Sequence, residues 1–447
     1  MNRFVYNLGI HLLSPLLLGW MGWRARRVGG DWGVMSGHRF GRYEEPTRLG
    51  SPVWVHAVSL GEVRAAQPFI EAILAQGDQV LLTHMTATGR AEGARMFARA
   101  IQAGCLQQAW LPYDFPGSVR RFLAHFQPCV GVLIEREVWP NIIAQARRMR
   151  IPLLLASARF SDNSLRQTLR LGSVMREAYQ SLQVVYAQTL QDAQRLEQAG
   201  VVGVRVSGNF KFDVSLSGEH LERGRAFAQA LSRKMITIAS TREGEDELFI
   251  QAIQKQARRA QLQGVSLDEH VLFCLIPRHP QRFDEVAKKL GCAGLSYMRR
   301  SAFVQTGETD AVNARIITQR RHLVLLGDSL GEMPRYYAAS HVAIVAGSFL
   351  PFGGQNLIEA CASSVPVLVG PHTENFDQAV FDAIQEGAAL RVPTAEAAIQ
   401  QALTLLDEPQ RLARMAQAGA QWVSKHTGAV ARVLIGLNEL KAKNTKP

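Results

Sequence analysis

The chain reads as two doubly wound α/β domains with a cleft between them. Its 447 residues exceed what one core usually organises. Unbroken apolar runs alternate with helical patterns, which indicates a parallel sheet covered on both faces. The pattern breaks once, over 207–232, and then resumes.

Before the break, strands are expected at 52–58, 79–84, 106–110, 129–134, 152–156 and 183–187. Helical patterns fill the gaps at 62–76, 88–103, 116–126, 164–181 and 189–199. The segment SGNFKFDVSLSGEHLERG is rich in Gly, Ser and charge and reads as an interdomain connection. After it, strands are expected at 234–239, 270–276, 322–326, 341–345 and 366–369, and the tail from about 393 reads as helices only.

The N-terminal segment FVYNLGIHLLSPLLLGWMGW, residues 4–23, contains no Asp, Glu, Lys or Arg. As a helix of ~20 residues it would be ~30 Å long, about the hydrocarbon thickness of a bilayer. Tyr6, Trp20 and Trp23 lie near its ends, and Arg24, Arg26 and Arg27 follow. Aromatic ends and a basic flank suit a membrane interface with the basic end facing the cytoplasm. Asn7, His11 and Pro15 interrupt the apolar run, so a span and an interfacial placement both stand. The net charge of +12 favours anionic partners. A nucleic-acid binder would add stacking aromatics to a basic stripe, and here aromatics are few and scattered. The five cysteines include no CxxC pair and do not read as a disulfide framework.

In open α/β sheets, ligands bind beyond the carboxyl ends of the strands, and the polar motifs fall there. In VSLGEV, Glu62 follows Ser59 and Gly61 at a strand–helix junction. It is either an acid in a first helical turn, favourable to the macrodipole, or a general base; spacing alone favours the former. THMTATGR, 83–90, offers a helix cap and Arg90. In IEREVWPN, 134–141, an extended backbone would turn Glu135 and Glu137 to the same side. They are either acid/base groups or helix caps. SARFSDNS and GNFKFD supply Arg159 and Lys211, cations for an anionic substrate or plain surface charge. IPRHPQRF fixes Arg278 and His279 between prolines after a strand, a placement suited to phosphate. GDSLGEM, 327–333, follows another strand. Gly353 and Gly354 precede a helix expected to start near Gln355, whose amides could hold a phosphate, with Asn356 and Glu359 one turn further in.

The ordered motifs SLGEV, ATGR, EREVWPN, SARFSDNS, GNFKFD, ASTREGEDE, PRHPQRF, GDSLGEM, GSFLPFGGQN and GPHTENF resemble those of the 3-deoxy-D-manno-octulosonic acid (Kdo) transferases of lipid A assembly. The resemblance covers nearly the whole chain. It implies a GT-B fold, two Rossmann-like domains facing a cleft. The expected divisions are an anchor helix and basic flank (1–30), an acceptor-binding domain (31–214) and a CMP-sugar-binding domain (215–447). It implies inverting transfer of Kdo from CMP-Kdo to lipid IVA, without metal or cofactor, at the cytoplasmic face of the inner membrane. By the same resemblance Glu62 is the general base. Arg278, His279, Gly331, Glu332, Met333, Gly354, Asn356 and Glu359 serve the donor, and Arg90, Glu135 and Lys211 the substrate cleft. Gln355 departs from the family's usual His, Leu357 from Pro, and Arg242 from His.

Overall fold

The computed structural model of the chain describes residues 1–28, 32–44, 47–213, 216–306 and 309–444. It forms two compact units, Met1–Asp213 with His426–Pro447, and Val214–Lys425.

The first unit is built on β1 (Val53–His56), β2 (Val80–His84), β3 (Leu106–Trp110), β4 (Val130–Ile134), β5 (Leu153–Ala158), β6 (Val184–Ala187) and β7 (Arg205–Val206). All pair in parallel, in the order β3-β2-β1-β4-β5-β6-β7. Side chains along a strand alternate between faces, and here both faces are cores. Trp54, Leu81 and Leu133 pack with Phe122 on one side. Val53, Val55, Val80 and Val132 pack with Phe69 and Ile70 on the other. Such strands cannot show polar alternation, so they read as continuous apolar runs.

The second unit repeats the plan with β8 (Lys234–Thr241), β9 (Val271–Pro277), β10 (Tyr297–Arg299), β11 (Val324–Leu326), β12 (Val342–Val345), β13 (Val367–Val369) and β14 (Ala389–Arg391). Its order is β10-β11-β9-β8-β12-β13-β14, again all parallel. Ile236, Phe273 and Ile344 face one core, and Met235, Leu272 and Ile276 the other. The order of winding reverses between β1 and β4 in the first sheet and between β8 and β12 in the second. These are the places where a crevice opens at the strand ends.

Three expectations change. The expected second domain does not hold the chain's end. Helix Ala429–Asn444 buries Val433, Leu437 and Leu440 against the first sheet, and Asp213 accepts the N–H of Val430 at 2.5 Å. The expected boundaries at 30/31 and 214/215 fall on residues outside the described ones. The expected connection over 207–232 holds a short 3-10 helix, Phe210–Phe212, and helix Gly218–Ala230, which Ser217 caps. Finally, the pattern over 164–181 is two helices, parted at Gly172 with φ 73°.

The N-terminal segment is helical over Arg3–Val28. It is long and apolar enough to cross a membrane, with mean hydropathy 1.3 and none of that stretch buried. Its first two turns dock on the unit. Tyr6 donates to Asp114 at 2.9 Å, Asn141 donates to the Asn7 carbonyl oxygen Oδ1 at 2.7 Å, and Arg3 pairs with Glu177 at 3.1 Å. Beyond them Leu12, Leu16 and Trp20 are exposed, while Arg27 lies over the Trp23 ring at 4.4 Å.

The returning C-terminal helix supplies core that no neighbouring segment replaces. Leu437→Ala is expected to destabilise the first unit by about 2–5 kcal/mol, read as a lower midpoint in denaturant unfolding. An unchanged midpoint would show that this helix does not complete the core.

Candidate active site

The first unit's crevice is assembled by the main chain of Val58, just past β1. Its carbonyl accepts the Thr86 hydroxyl at 2.9 Å and the N–H groups of Met85 and Thr86 at 3.3 and 3.2 Å. Its N–H donates to Glu62 Oε2 at 2.5 Å. One residue thus ties the start of helix Leu60–Ala75 to that of helix Ala87–Met96. Gly89 is required at this junction, because a Cβ there would stand 2.8 Å from Val58 O.

Glu62 is the third residue of its helix, and the Ser59 side chain accepts its N–H at 3.5 Å. Ser followed three residues later by Glu is a capping pattern; here the carboxylate reaches back to Val58. The helix-electrostatic reading therefore describes real bonds. It does not describe the net balance. Burial and the carboxylates of Glu137 and Glu135 push Glu62 up to about 8, against the lowering from the Val58 and Ser59 amides. A group placed only to cap a helix is expected to be held below its usual range. Gly61 has ordinary helical geometry, and a Cβ there would find only Ser59 Oγ at 4.0 Å.

Glu135 and Glu137 do crowd Glu62, but not because the backbone is extended. Glu135 ends β4 in the left-handed region, φ 59°, a costly conformation for a side-chain-bearing residue that often marks a functional position. Lys211 pairs with Glu135 Oε1 at 3.2 Å. Glu137 accepts from Trp139 Nε1 at 2.9 Å, and burial raises its carboxyl. His56 Nε2 is 4.0 Å from Glu137, yet burial holds its imidazole down to about 3, so this is no ion pair at neutral pH. Arg90 sits one turn into helix Ala87–Met96, its guanidinium 4.9 Å from the Trp110 ring centre. Arg159 continues from β5, its N–H donating to Glu135 O at 3.3 Å.

In the second unit, Arg278 follows β9. Its N–H donates to Thr241 O at 2.9 Å and its side chain is exposed. Burial raises the Glu359 carboxyl, and the Arg278 charge and the Asn356 amide offset part of that rise. Arg278, Asn356 and Glu359 therefore share one neighbourhood. Burial first, then the arginines around it, hold His279 below its usual value. Gly353 and Gly354 are both left-handed, φ 83° and 80°. A Cβ on Gly353 would lie 2.3 Å from the Asn375 amide nitrogen, which donates to Phe352 O at 3.1 Å. The expected helix start near Gln355 is displaced: the helix is Ile358–Ala362, and Asn356 Oδ1 accepts its first N–H at 3.0 Å. Two successive left-handed residues carry the chain past Gln355 before helical geometry can begin. At the β11 end, Gly331 is exposed and left-handed. Glu332 turns inward, its Oε1 accepting from Arg300 and Arg335, each at 2.8 Å. Met333 packs beside Tyr336 and Phe303. The side chains of these two residues serve the unit's interior, leaving the main chain of this loop for a ligand.

Sequence reasoning missed Asn375, which shapes the glycine pair, and Glu245, which braces the loop after β12. The acid-rich junction ASTREGEDE, built like that of Glu62, was the available signal for Glu245.

Two Rossmann-like units with polar groups at their switch points define a GT-B glycosyltransferase fold. The UDP-GlcNAc 2-epimerase from Neisseria meningitidis bound to UDP-GlcNAc shares it, with TM-score 0.51 and 16% identity, covering 87% of this chain and 100% of that chain. The family described as 3-deoxy-D-manno-octulosonic-acid transferase (kdotransferase) matches residues 36–214. The 3-deoxy-D-manno-octulosonic acid transferase of Bordetella pertussis is 54% identical over 443 residues, 98% of this chain and 99% of that one. That of Haemophilus influenzae is 29% identical over 446 residues, 97% of each. The chain belongs to the Kdo transferase family.

A carboxyl raised on folding binds extra protons in the native state, so its contribution to stability falls as pH rises. For Glu62 the window runs from its usual value of 4.5 to about 8. Glu62→Gln is therefore expected to raise the melting temperature relative to the parent at pH 8.5 more than at pH 4.5. An equal effect at both would remove the buried, crowded carboxylate from this account.

Proposed function

We propose that this Kdo transferase moves Kdo from CMP-Kdo to lipid IVA with inversion, using Glu62 as general base. The observation that carries the reading is the Glu62 carboxyl in the first turn of the helix after β1, raised by burial and by the charges of Glu137 and Glu135. A sugar hydroxyl is a poor nucleophile. A base whose pKa lies near the working pH removes its proton most effectively as the new bond forms. In the proposed step the hydroxyl oxygen bonds to the anomeric carbon of Kdo, its proton passes to Glu62, and the bond to the CMP phosphate oxygen breaks. A single displacement from the opposite face inverts that carbon.

The phosphate oxygen gains charge as it leaves. Arg278 answers it without a metal, helped by the main chain at Gly331, while Asn356 and Glu359 hold the nucleoside. Glu359 is suited to ribose hydroxyls because its partly buried carboxylate keeps acceptor capacity beyond the long 3.5 Å contact with Asn356. His279, held below its usual value, stays neutral beside Arg278. Lys211 and Glu135 order the substrate, and Arg90 meets an acceptor anion. The apolar helix Arg3–Val28 with its basic last turn anchors the enzyme to anionic lipid at the cytoplasmic face of the inner membrane. Anchoring raises the effective concentration of a lipid acceptor.

Glu62→Gln is expected to lower kcat/KM by about 10²–10⁴-fold. The parent's kcat/KM should rise with pH through a limb near 8 that the variant lacks. A variant of parental rate, or a limb in the usual carboxylate range, removes the base assignment. Arg278→Ala is expected to raise the KM for CMP-Kdo about tenfold or more, as loss of a charge-assisted phosphate contact does, while EDTA leaves the parental rate unchanged. Loss of activity in EDTA restored by a divalent ion would replace the arginine with a metal.

A further inference from the structure

We propose that the adjacent acids Glu245 and Asp246 are positioning residues that hold the loop after β12 and the Arg278 loop in register for the donor's phosphate. This rests on the donor reading above. Both side chains are fully buried. Each sends its bonds away from its own helix, Glu245–Leu262.

Glu245 Oε2 accepts the N–H of Gly347 at 2.7 Å and of Arg242 at 2.9 Å, and Oε1 accepts the N–H of Phe349 at 2.9 Å. Arg242 follows β8 and Gly347 follows β12, so one carboxylate bridges the point where the winding of the sheet reverses. The Gly347 carbonyl then accepts the N–H of Gly354 at 2.7 Å. The brace thus reaches the glycine pair through a single residue, Gly347. Asp246 grips the other side. Its Oδ1 accepts the Thr241 hydroxyl at 2.5 Å and its Oδ2 pairs with Arg282. Thr241 O is the acceptor for the Arg278 N–H, and Arg282 closes the turn that carries Arg278.

A buried carboxylate is costly unless its lone pairs are filled. Here they are filled from the strand-end loops, not from the helix that carries the acids. Bonds from amides to a carboxylate are stronger than those between neutral groups. Loops fixed this way meet a developing charge without rearranging. A clamp of this kind acts through the groups it places, and so shows in donor binding more than in the chemical step.

The test uses the full chain, CMP as the binding probe, and steady-state transfer with CMP-Kdo and lipid IVA. Glu245→Gln keeps the shape and removes the charge. It is expected to raise the CMP Kd and the donor KM together by about tenfold, with kcat and the acceptor KM changed less than about threefold and the melting temperature within a few degrees of the parent. Asp246→Asn is expected to move the same two constants. A Glu245→Gln variant with parental CMP affinity overturns the clamp, as does one that loses kcat at unchanged donor KM. A parent that does not bind CMP overturns the donor reading and this inference with it. Should the variant fail to fold, hydrogen exchange on the parent decides. The Gly347 and Phe349 amides should be protected before CMP is added, and rapid exchange there overturns the proposal.

Discussion

Three carboxylates share the crevice between the ends of β1 and β4, and one lysine stands among them. Like charges that are partly withdrawn from water cannot all stay ionised. Lys211 pairs with Glu135, and Trp139 donates to Glu137. The third acid, Glu62, has only the amide bonds at its own helix start, and those lose to burial and repulsion. Of the three, Glu135 has the lysine, and both Glu62 and Glu137 are raised. The neutral His56 adds no positive charge that would undo that rise.

Local geometry in the first unit serves that arrangement. Val58 receives the Thr86 loop through its oxygen and fixes Glu62 through its nitrogen, so two strand ends are set by one residue. Glu135 reaches its place only in a left-handed conformation. The second unit solves a related problem with buried acids whose bonds run to neighbouring loops. The two sheets therefore share a winding plan while differing in what their strand ends present: a crowded acid in one, braced loops and an exposed arginine in the other.

Much of this was legible in the residues. Runs such as VLLTH and VGVLI announce strands because both their faces are buried, and the observed strands fall within a residue or two of the expected ones. The unforeseen strands, β7, β10 and β14, lie at sheet edges and are only partly buried, so they carry polar residues such as Arg205, Arg299 and Arg391 where β11 and β13, just as short, are wholly apolar. The site was legible as a set of positions and less so as a set of directions. Glu135 and Arg278 directly follow β4 and β9, Glu62 lies in the first turn of the helix after β1, and Asn356 and Glu359 lie at the start of helix Ile358–Ala362. That Glu332 turns toward Arg300 and Arg335 depends on partners about 30 residues before it and three after, and no local pattern carries that. The delayed helix at Ile358 depends likewise on Asn375, a residue from another loop pressing on Gly353. The C-terminal helix was misassigned because an amphipathic pattern says that a face is buried, without saying against which sheet.

The return of the last helix to the first sheet has a consequence for biogenesis. A ribosome delivers this polypeptide from its amino end. Residues through Asp213 emerge well before Val433, Leu437 and Leu440. Throughout that interval one side of the early sheet keeps an oily surface uncovered, while the inserted portion can already close upon itself. The unit that starts first is thus completed only after the inserted one has been made.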